Sequence, residues 1–217
     1  MAEPIPRRSP LEGVLAPGRS GAAPAGGPGV MVGERRGLSL VHLAARRGRA
    51  RDLAAAIEAA FGLALPAPGA SAEGDGIAAL WTAPEQWHLV AAGREEGALF
   101  TAIAEAAGDA GAPIDLSHGR AVLRVSGARA RDALAKGIAL DLHPRAFADG
   151  AVGQTVVGGI GVLVHRVGEA FDLYVYSGFA IAFWEWLAGS AAEFGLEVTE
   201  PLSERSGGRS RGRRSRR

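Results

Sequence analysis

The 217-residue chain contains no cysteine. Disulfides and thiolate metal sites are thereby excluded, in keeping with a reducing compartment. No apolar run approaches the roughly 20 residues that a membrane span needs. Nor does an apolar stretch follow Arg7-Arg8, where Pro and Gly dominate up to Gly29, so no secretory leader is expected and a cytoplasmic location is. The histidines His42, His88, His118, His143 and His165 show no HExxH or other zinc-ligand spacing. Gly158-Gly-Ile-Gly161 lacks the GxGxxG order and leads into a strand pattern instead of a helix, which argues against a dinucleotide loop. With Gly153, these glycines are read as permitting a bend or bulge.

What is present fits a globular body, since 47% hydrophobic residues is ordinary for a soluble core. The net charge of +1 hides an asymmetry. Residues 205–217 hold seven of the 24 basic side chains and no acid, so the rest of the chain carries 17 basic and 23 acidic groups, a net −6. Such an Arg/Ser/Gly tail cannot bury enough apolar area to offset its chain entropy and is expected to be disordered. It could neutralise phosphates, meet an acidic partner, or serve only as a solubilising extension.

Composition divides the chain into a Pro/Gly/Ala-rich flexible arm (1–33), a first half (34–110), a second half (111–201) and a disordered basic tail (202–217). Pro66 to Gly76 reads as a surface loop. Apolar periodicity predicts strands over 38–43, 77–82 and 87–91 and helices over 49–61 and 96–107. In the second half it predicts strands over 121–126, 156–165 and 171–176, and helices over 128–136 and 179–194. Each half therefore runs βαββα. Two such units make an α+β fold of pseudo-repeated halves, with antiparallel sheets and packed helices. In the strand starting at Ala121, Leu123 and Val125 point to the core, while Val122, Arg124 and Ser126 share the other face. The hairpin between 162 and 175 is expected to turn near Gly168.

The final helix is apolar over a wide arc, with Ala180, Trp184, Leu187, Ala191 and Phe194 at 4-3-4-3 spacing and Phe179, Phe183 and Trp186 beside them. Either the sheets bury it on both sides, or one side docks on another subunit.

Asp115, Ser117 and His118 supply the residue types of a nucleophilic triad. In an extended segment, however, adjacent Ser117 and His118 face opposite ways, so a turn held by the Asp115 carboxylate and Ser117 hydroxyl is expected, with Gly119 giving backbone freedom. His143, before Pro144, is read as part of a turn. Arg120, Arg124, Arg129 and Arg131 form a basic set that is solvated, locally paired, or aimed at an anionic ligand or partner.

The run Asp115-Leu-Ser-His-Gly-Arg-Ala-Val-Leu-Arg-Val-Ser-Gly, continued by Ala-Arg-Ala-Arg-Asp-Ala-Leu-Ala-Lys-Gly and Ile-Ala-Leu-Asp-Leu-His-Pro144, resembles the gamma subunits of heterotetrameric sarcosine oxidases. Those are themselves similar to the folate-binding domains of the glycine-cleavage aminomethyltransferase type. The resemblance continues through Phe147, Gly150, Gln154-Thr155, Phe171-Asp-Leu-Tyr-Val, Phe183-Trp-Glu-Trp-Leu187 and Glu193-Phe-Gly195, and covers roughly Leu80 to Glu200. One departure is Ile138, where such subunits often carry a cysteine; a small apolar packing role survives the exchange.

The resemblance implies an accessory subunit without a catalytic group, in an enzyme that oxidatively demethylates sarcosine to glycine with hydrogen peroxide and formaldehyde or methylenetetrahydrofolate. It implies alpha, beta and delta partner subunits, with FAD, FMN, NAD and tetrahydrofolate carried by them and none by this chain. The candidate subunit interface is Arg120, Arg124, Phe183, Trp184 and Trp186. The alternatives are an autonomous folate-binding module and an Arg-tailed nucleic-acid binder.

Overall fold

Alternating side chains on extended strands, each with a place for both of its faces, build most of this fold. The computed structural model describes residues 8–203. In chain order it contains β1 (Gly18–Ser20), β2 (Val30–Arg36), β3 (Leu38–Ala45), α1 (Ala50–Phe61), β4 (Ser71–Gly74), β5 (Ile77–Ala83), β6 (Gln86–Ala92), α2 (Ala98–Ala107) and β7 (Gly111–Asp115). There follow β8 (Arg120–Ser126), α3 (Ala130–Ala135), β9 (Val152–Val157), β10 (Ile160–Val167), β11 (Ala170–Tyr176), α4 (Ala180–Ala191), β12 (Leu196–Val198) and β13 (Leu202–Ser203). No helix among the described residues is long and apolar enough to cross a membrane.

The strands form two mixed-length sheets, one ordered β4-β5-β6-β3-β7 and the other β1-β12-β2-β8-β11-β10-β9, with β13 also on β2. Pairing is antiparallel except where β12 and β13 run parallel to β2. The fold is thus mixed α+β with antiparallel sheets and few helices.

Three buried layers hold it together. Val41, Leu43, Ile77, Ala79 and Leu89 meet Leu53 and Ile57 of α1 and Leu99 and Ile103 of α2 on the outer face of the smaller sheet. Val32, Leu123, Val125, Val164, Phe171 and Leu173 meet Leu134 of α3 and Phe183, Trp184 and Leu187 of α4 on the outer face of the larger one. Between the sheets lie Leu38, Leu40, Leu80, Val90, Val122, Val152, Leu163 and Tyr174. The order helices, sheet, sheet, helices follows, because each strand's odd and even residues serve different layers. In β8, Leu123 and Val125 face the helices as expected, but Val122 is buried as well, against the opposing sheet.

Several expectations are corrected. The extended stretch read as one strand over 156–165 is a hairpin, because Gly158 and Gly159 both take positive φ, 56° and 85°, and form a two-residue turn between Val157 and Ile160. The β10–β11 turn does fall at Gly168. Part of the surface loop pairs as β4 with β5. β7 belongs to the sheet of the first half, on β3, so that sheet extends beyond residue 110.

The reading of 1–33 as a flexible arm fails within the described part. Leu11 and Leu15 are buried in the larger core, β1 pairs with β12, and Ser9 donates to the buried Glu34 carboxylate. Apolar side chains spaced among Pro and Gly were enough to anchor it. Leu202 and Ser203, assigned to the tail, pair with Arg35 and Arg36. The expected disorder of the Arg-rich tail concerns residues 204–217, which lie outside the described residues, as do 1–7.

Candidate functional site

The side chains that face the other sheet are apolar in the middle of the layer; the larger sheet adds polar residues at both ends, and the smaller sheet adds His42, Thr82 and His88 at one end. Along β8 the order is Arg120, Val122, Arg124, and along β11 it is Asp172, Tyr174, Tyr176. Two clefts result, one at each end.

At the first end, Asp172 is fully buried and accepts from two arginines. Arg124 binds it through Nε to Oδ1 (2.7 Å) and Nη2 to Oδ2 (2.8 Å), and Arg35 Nη1 donates to Oδ2 at 2.7 Å. Charge-assisted and bidentate contacts of this kind are among the stronger ones. Arg35, Arg124 and His165 line a cavity of about 380 Å³ together with Leu38, Val90 and Tyr174. Burial pulls the pKa of His165 down to about 4, opposed by Asp172 and reinforced by the two guanidiniums. Its Nε2 lies 3.0 Å from Ser71 Oγ, which in turn donates to the carbonyl of Gly150 and ties β4 to the segment before β9.

At the second end, His42 and His88 are register partners on β3 and β6, with Nδ1 atoms 3.3 Å apart and rings edge-on. Both are held uncharged near neutrality. Burial lowers His88 to about 3, with the charge of Arg120 as the next cause and His42 after it; burial and then Arg120 lower His42. The Arg120 guanidinium stacks on the Tyr176 ring, 3.5 Å from its centroid. Gln154 of β9 donates to the carbonyl of Thr82 on β5 and so bridges the sheets. These six residues line a cleft of about 420 Å³ whose wall is completed by Ala83, Gln86, Ile114 and Leu116.

The triad types do not converge. Ser117 Oγ accepts from the backbone N–H of Leu40 at 3.0 Å, whereas the ring of His118 engages Glu96 at the surface. Asp115 Oδ1 accepts from the Ser117 N–H at 2.8 Å, so the expected turn forms. Gly119 does not adopt a positive φ there. His143 Nδ1 accepts from the N–H of Arg145 in a turn leading to Phe147. Among the described residues, no three His, Asp or Glu side chains are grouped to hold a metal ion. Gly158–Gly161 sits in a hairpin away from any helix start, and does not fit a dinucleotide phosphate.

The four arginines of the basic set are dispersed. Arg124 is on Asp172, Arg129 on Asp132 and Arg131 on Glu169. Arg120 alone of the four lies in the second cleft.

Of the candidate interface residues, Phe183 and Trp184 are corrected, since both are buried in this chain's own core against its larger sheet. Trp186 is half-buried; it packs on Phe183 (centroids 5.3 Å apart) and closes over Gly137. Ile138 is buried in the same core.

The sequence reading missed Arg35, Asp172, His165, Thr82, Gln154 and Tyr176 as members of these clefts. For Asp172, His165, Thr82, Gln154 and Tyr176 the signal was positional, since each falls two residues from an apolar residue of the inter-sheet layer, whereas Arg35 lies on β2, which contributes no apolar residue to that layer.

The model of the sarcosine oxidase, gamma subunit family matches residues 47–193, beginning well upstream of Leu80. The sarcosine oxidase subunit gamma of Corynebacterium sp. (strain U-96) is 35% identical over 144 residues, 64% of this chain and 69% of that one. The corresponding subunit from Arthrobacter sp. is 38% identical over 117 residues, 53% and 57%. A chain of the solved heterotetrameric sarcosine oxidase of Corynebacterium sp. U-96, in complex with pyrrole 2-carboxylate, superposes with TM-score 0.75 at 32% identity, covering 87% of this chain and 96% of that one. The glycine cleavage system aminomethyltransferase T of Bartonella henselae shares the fold at TM-score 0.56 and 15% identity, over 80% of this chain and 48% of that one. The chain belongs to the sarcosine oxidase gamma subunit family.

Proposed function

We propose that this chain is the gamma subunit of a heterotetrameric sarcosine oxidase, assembling with alpha, beta and delta subunits as a non-catalytic component. The observation that carries this is the near end-to-end likeness, at 32% identity, to a chain of a solved heterotetramer. The complex oxidatively demethylates sarcosine to glycine, releasing hydrogen peroxide and formaldehyde or, with tetrahydrofolate, methylenetetrahydrofolate. FAD, FMN, NAD and folate reside on the partner subunits, and the assembly is cytoplasmic. In keeping with a non-catalytic role, Ser117 and His118 are engaged by different partners and face no common point. The matching orders β4-β5-β6-β3 and β9-β10-β11-β8 support the pseudo-repeat. The likeness to the aminomethyltransferase is one of fold and brings no folate site with it.

With Phe183 and Trp184 internal, docking falls to the exposed Phe179 and Ile181 at the start of α4. The test is to purify the tagged full chain from its native cells. Three co-purifying polypeptides, flavin absorbance and sarcosine-dependent peroxide release are expected; a colourless, solitary polypeptide would refute the proposal.

A further inference from the structure

We infer that the cleft between His42, His88 and Arg120 is a binding site for a small monocarboxylate with a flat or apolar body, its carboxylate held by Arg120. At the opposite end of the inter-sheet layer the buried Asp172 supplies the anion for Arg35 and Arg124. At this end no acidic side chain lines the cleft, and Arg120 makes no ion pair with any described carboxylate.

Arg120 stacks on the Tyr176 ring and also engages its phenol oxygen, so the edge that remains for an acceptor is the one carrying Nε. The Nε–H on that edge is buried and has no hydrogen-bond partner within the chain. A second unmet group lies in the same cleft, because the hydroxyl of buried Thr82 also lacks a partner. Buried polar groups are ordinarily satisfied by protein or water, so two unmet ones lining one cavity offer a ligand two hydrogen bonds in exchange for solvent. Since His42 and His88 stay uncharged, the cleft carries one positive charge, which fits a monoanion.

The cavity, about 420 Å³, exceeds what a bare carboxylate fills and falls within the range of small-molecule sites. Its remaining wall combines the Tyr176 ring, Ile114, Leu116 and Ala83 with the amides of Gln86 and Gln154, and the ring and aliphatic side chains suit a flat or apolar body. None of this depends on the assembly proposed above.

The probe is para-fluorobenzoate, followed by fluorine NMR. It is added to the free full chain and to the assembly the chain purifies with, comparing wild type with variants of this chain only, so that sites on other chains cancel. Saturable binding with a Kd of about 1 mM or tighter is expected. Arg120→Gln should weaken it about tenfold or more, and uncharged para-fluorobenzamide should bind correspondingly less well. Thr82→Val removes only a hydroxyl and should cost a few-fold, which decides the matter even if Arg120→Gln proves poorly folded. No saturable binding, equal binding by the benzamide, or an unchanged Kd in Thr82→Val and a folded Arg120→Gln would each overturn the inference. Binding to the free chain that vanishes in the assembly would assign the cleft to a partner's acidic side chain, and overturn it too.

Discussion

Arg124 and Asp172 are direct partners across β8 and β11, joined by two hydrogen bonds of 2.7 and 2.8 Å while Arg35 reaches the same carboxylate from β2. One carboxylate therefore ties three neighbouring strands together inside the inter-sheet layer. Asp172→Ala would leave two largely buried guanidiniums without it. Breaking such a pair from one side costs about 3–5 kcal/mol. Urea unfolding should show a lower midpoint with an unchanged slope; a change below about 0.5 kcal/mol, typical of surface sites, would refute the role.

Gly137 sits under the indole of Trp186. A Cβ there would lie 2.6 Å from Cζ2 and 2.8 Å from Cε2 of a rigid ring that packs on Phe183. Gly137→Ala should destabilise the chain by about 1–3 kcal/mol, as overpacking does. Adding Trp186→Ala should return part of that loss, so the two changes are non-additive in thermal unfolding. Additive effects would show that the ring moves freely.

Phe183→Ala and Trp184→Ala remove side chains from the core between α4 and the larger sheet. Each should cost about 3–5 kcal/mol in the free chain. Loss of assembly with unchanged stability of the free chain would return these residues to an interface.

Leu11 lies in a stretch of Pro and Gly, yet it is fully buried. Leu11→Ala should cost about 2–5 kcal/mol. A flexible arm would tolerate the change without a shift in melting temperature.

His88 and His165 are buried uncharged, with folded-state pKa values of about 3 and about 4 against 6.5 when unfolded. The unfolded chain therefore binds more protons between those values and 6.5. Stability is full above pH 6.5 and falls as pH drops through that window, by up to about 1.36 kcal/mol per pH unit for each group. Chemical unfolding from pH 7 to 4 should show this slope. His165→Gln should flatten it, and an unchanged slope in that variant would refute the assignment.

The helices and central strands were legible because their apolar spacing is regular. Leu53 with Ile57 and Leu99 with Ile103 are i, i+4 pairs, and each pair faces a sheet. The short edge strands β4 and β7 and the parallel additions β12 and β13 were not, since pairing through backbone groups leaves little mark on side-chain order. The burial of Arg124 was hidden for another reason. An arginine alternating with valine reads as a solvent face, and only the register that sets Asp172 opposite it reveals a buried pair. Tryptophan and phenylalanine on α4 were ambiguous because a core and an interface reward the same residues. The two clefts required knowing that one sheet covers the other.

β2 precedes every strand of the smaller sheet, yet it lies in the larger one, with Met31 opposite Ser126 and Val30 beside Leu196. During synthesis, then, the smaller sheet has all its strands once Asp115 has emerged, while Val30 and Val32 wait without their neighbours. β8 supplies one flank of that waiting strand and β12, near the end of the chain, supplies the other. Closure of the larger sheet is a late event set by long-range contacts, which are slow to form. The interval before it is when this chain is most open to wrong pairing.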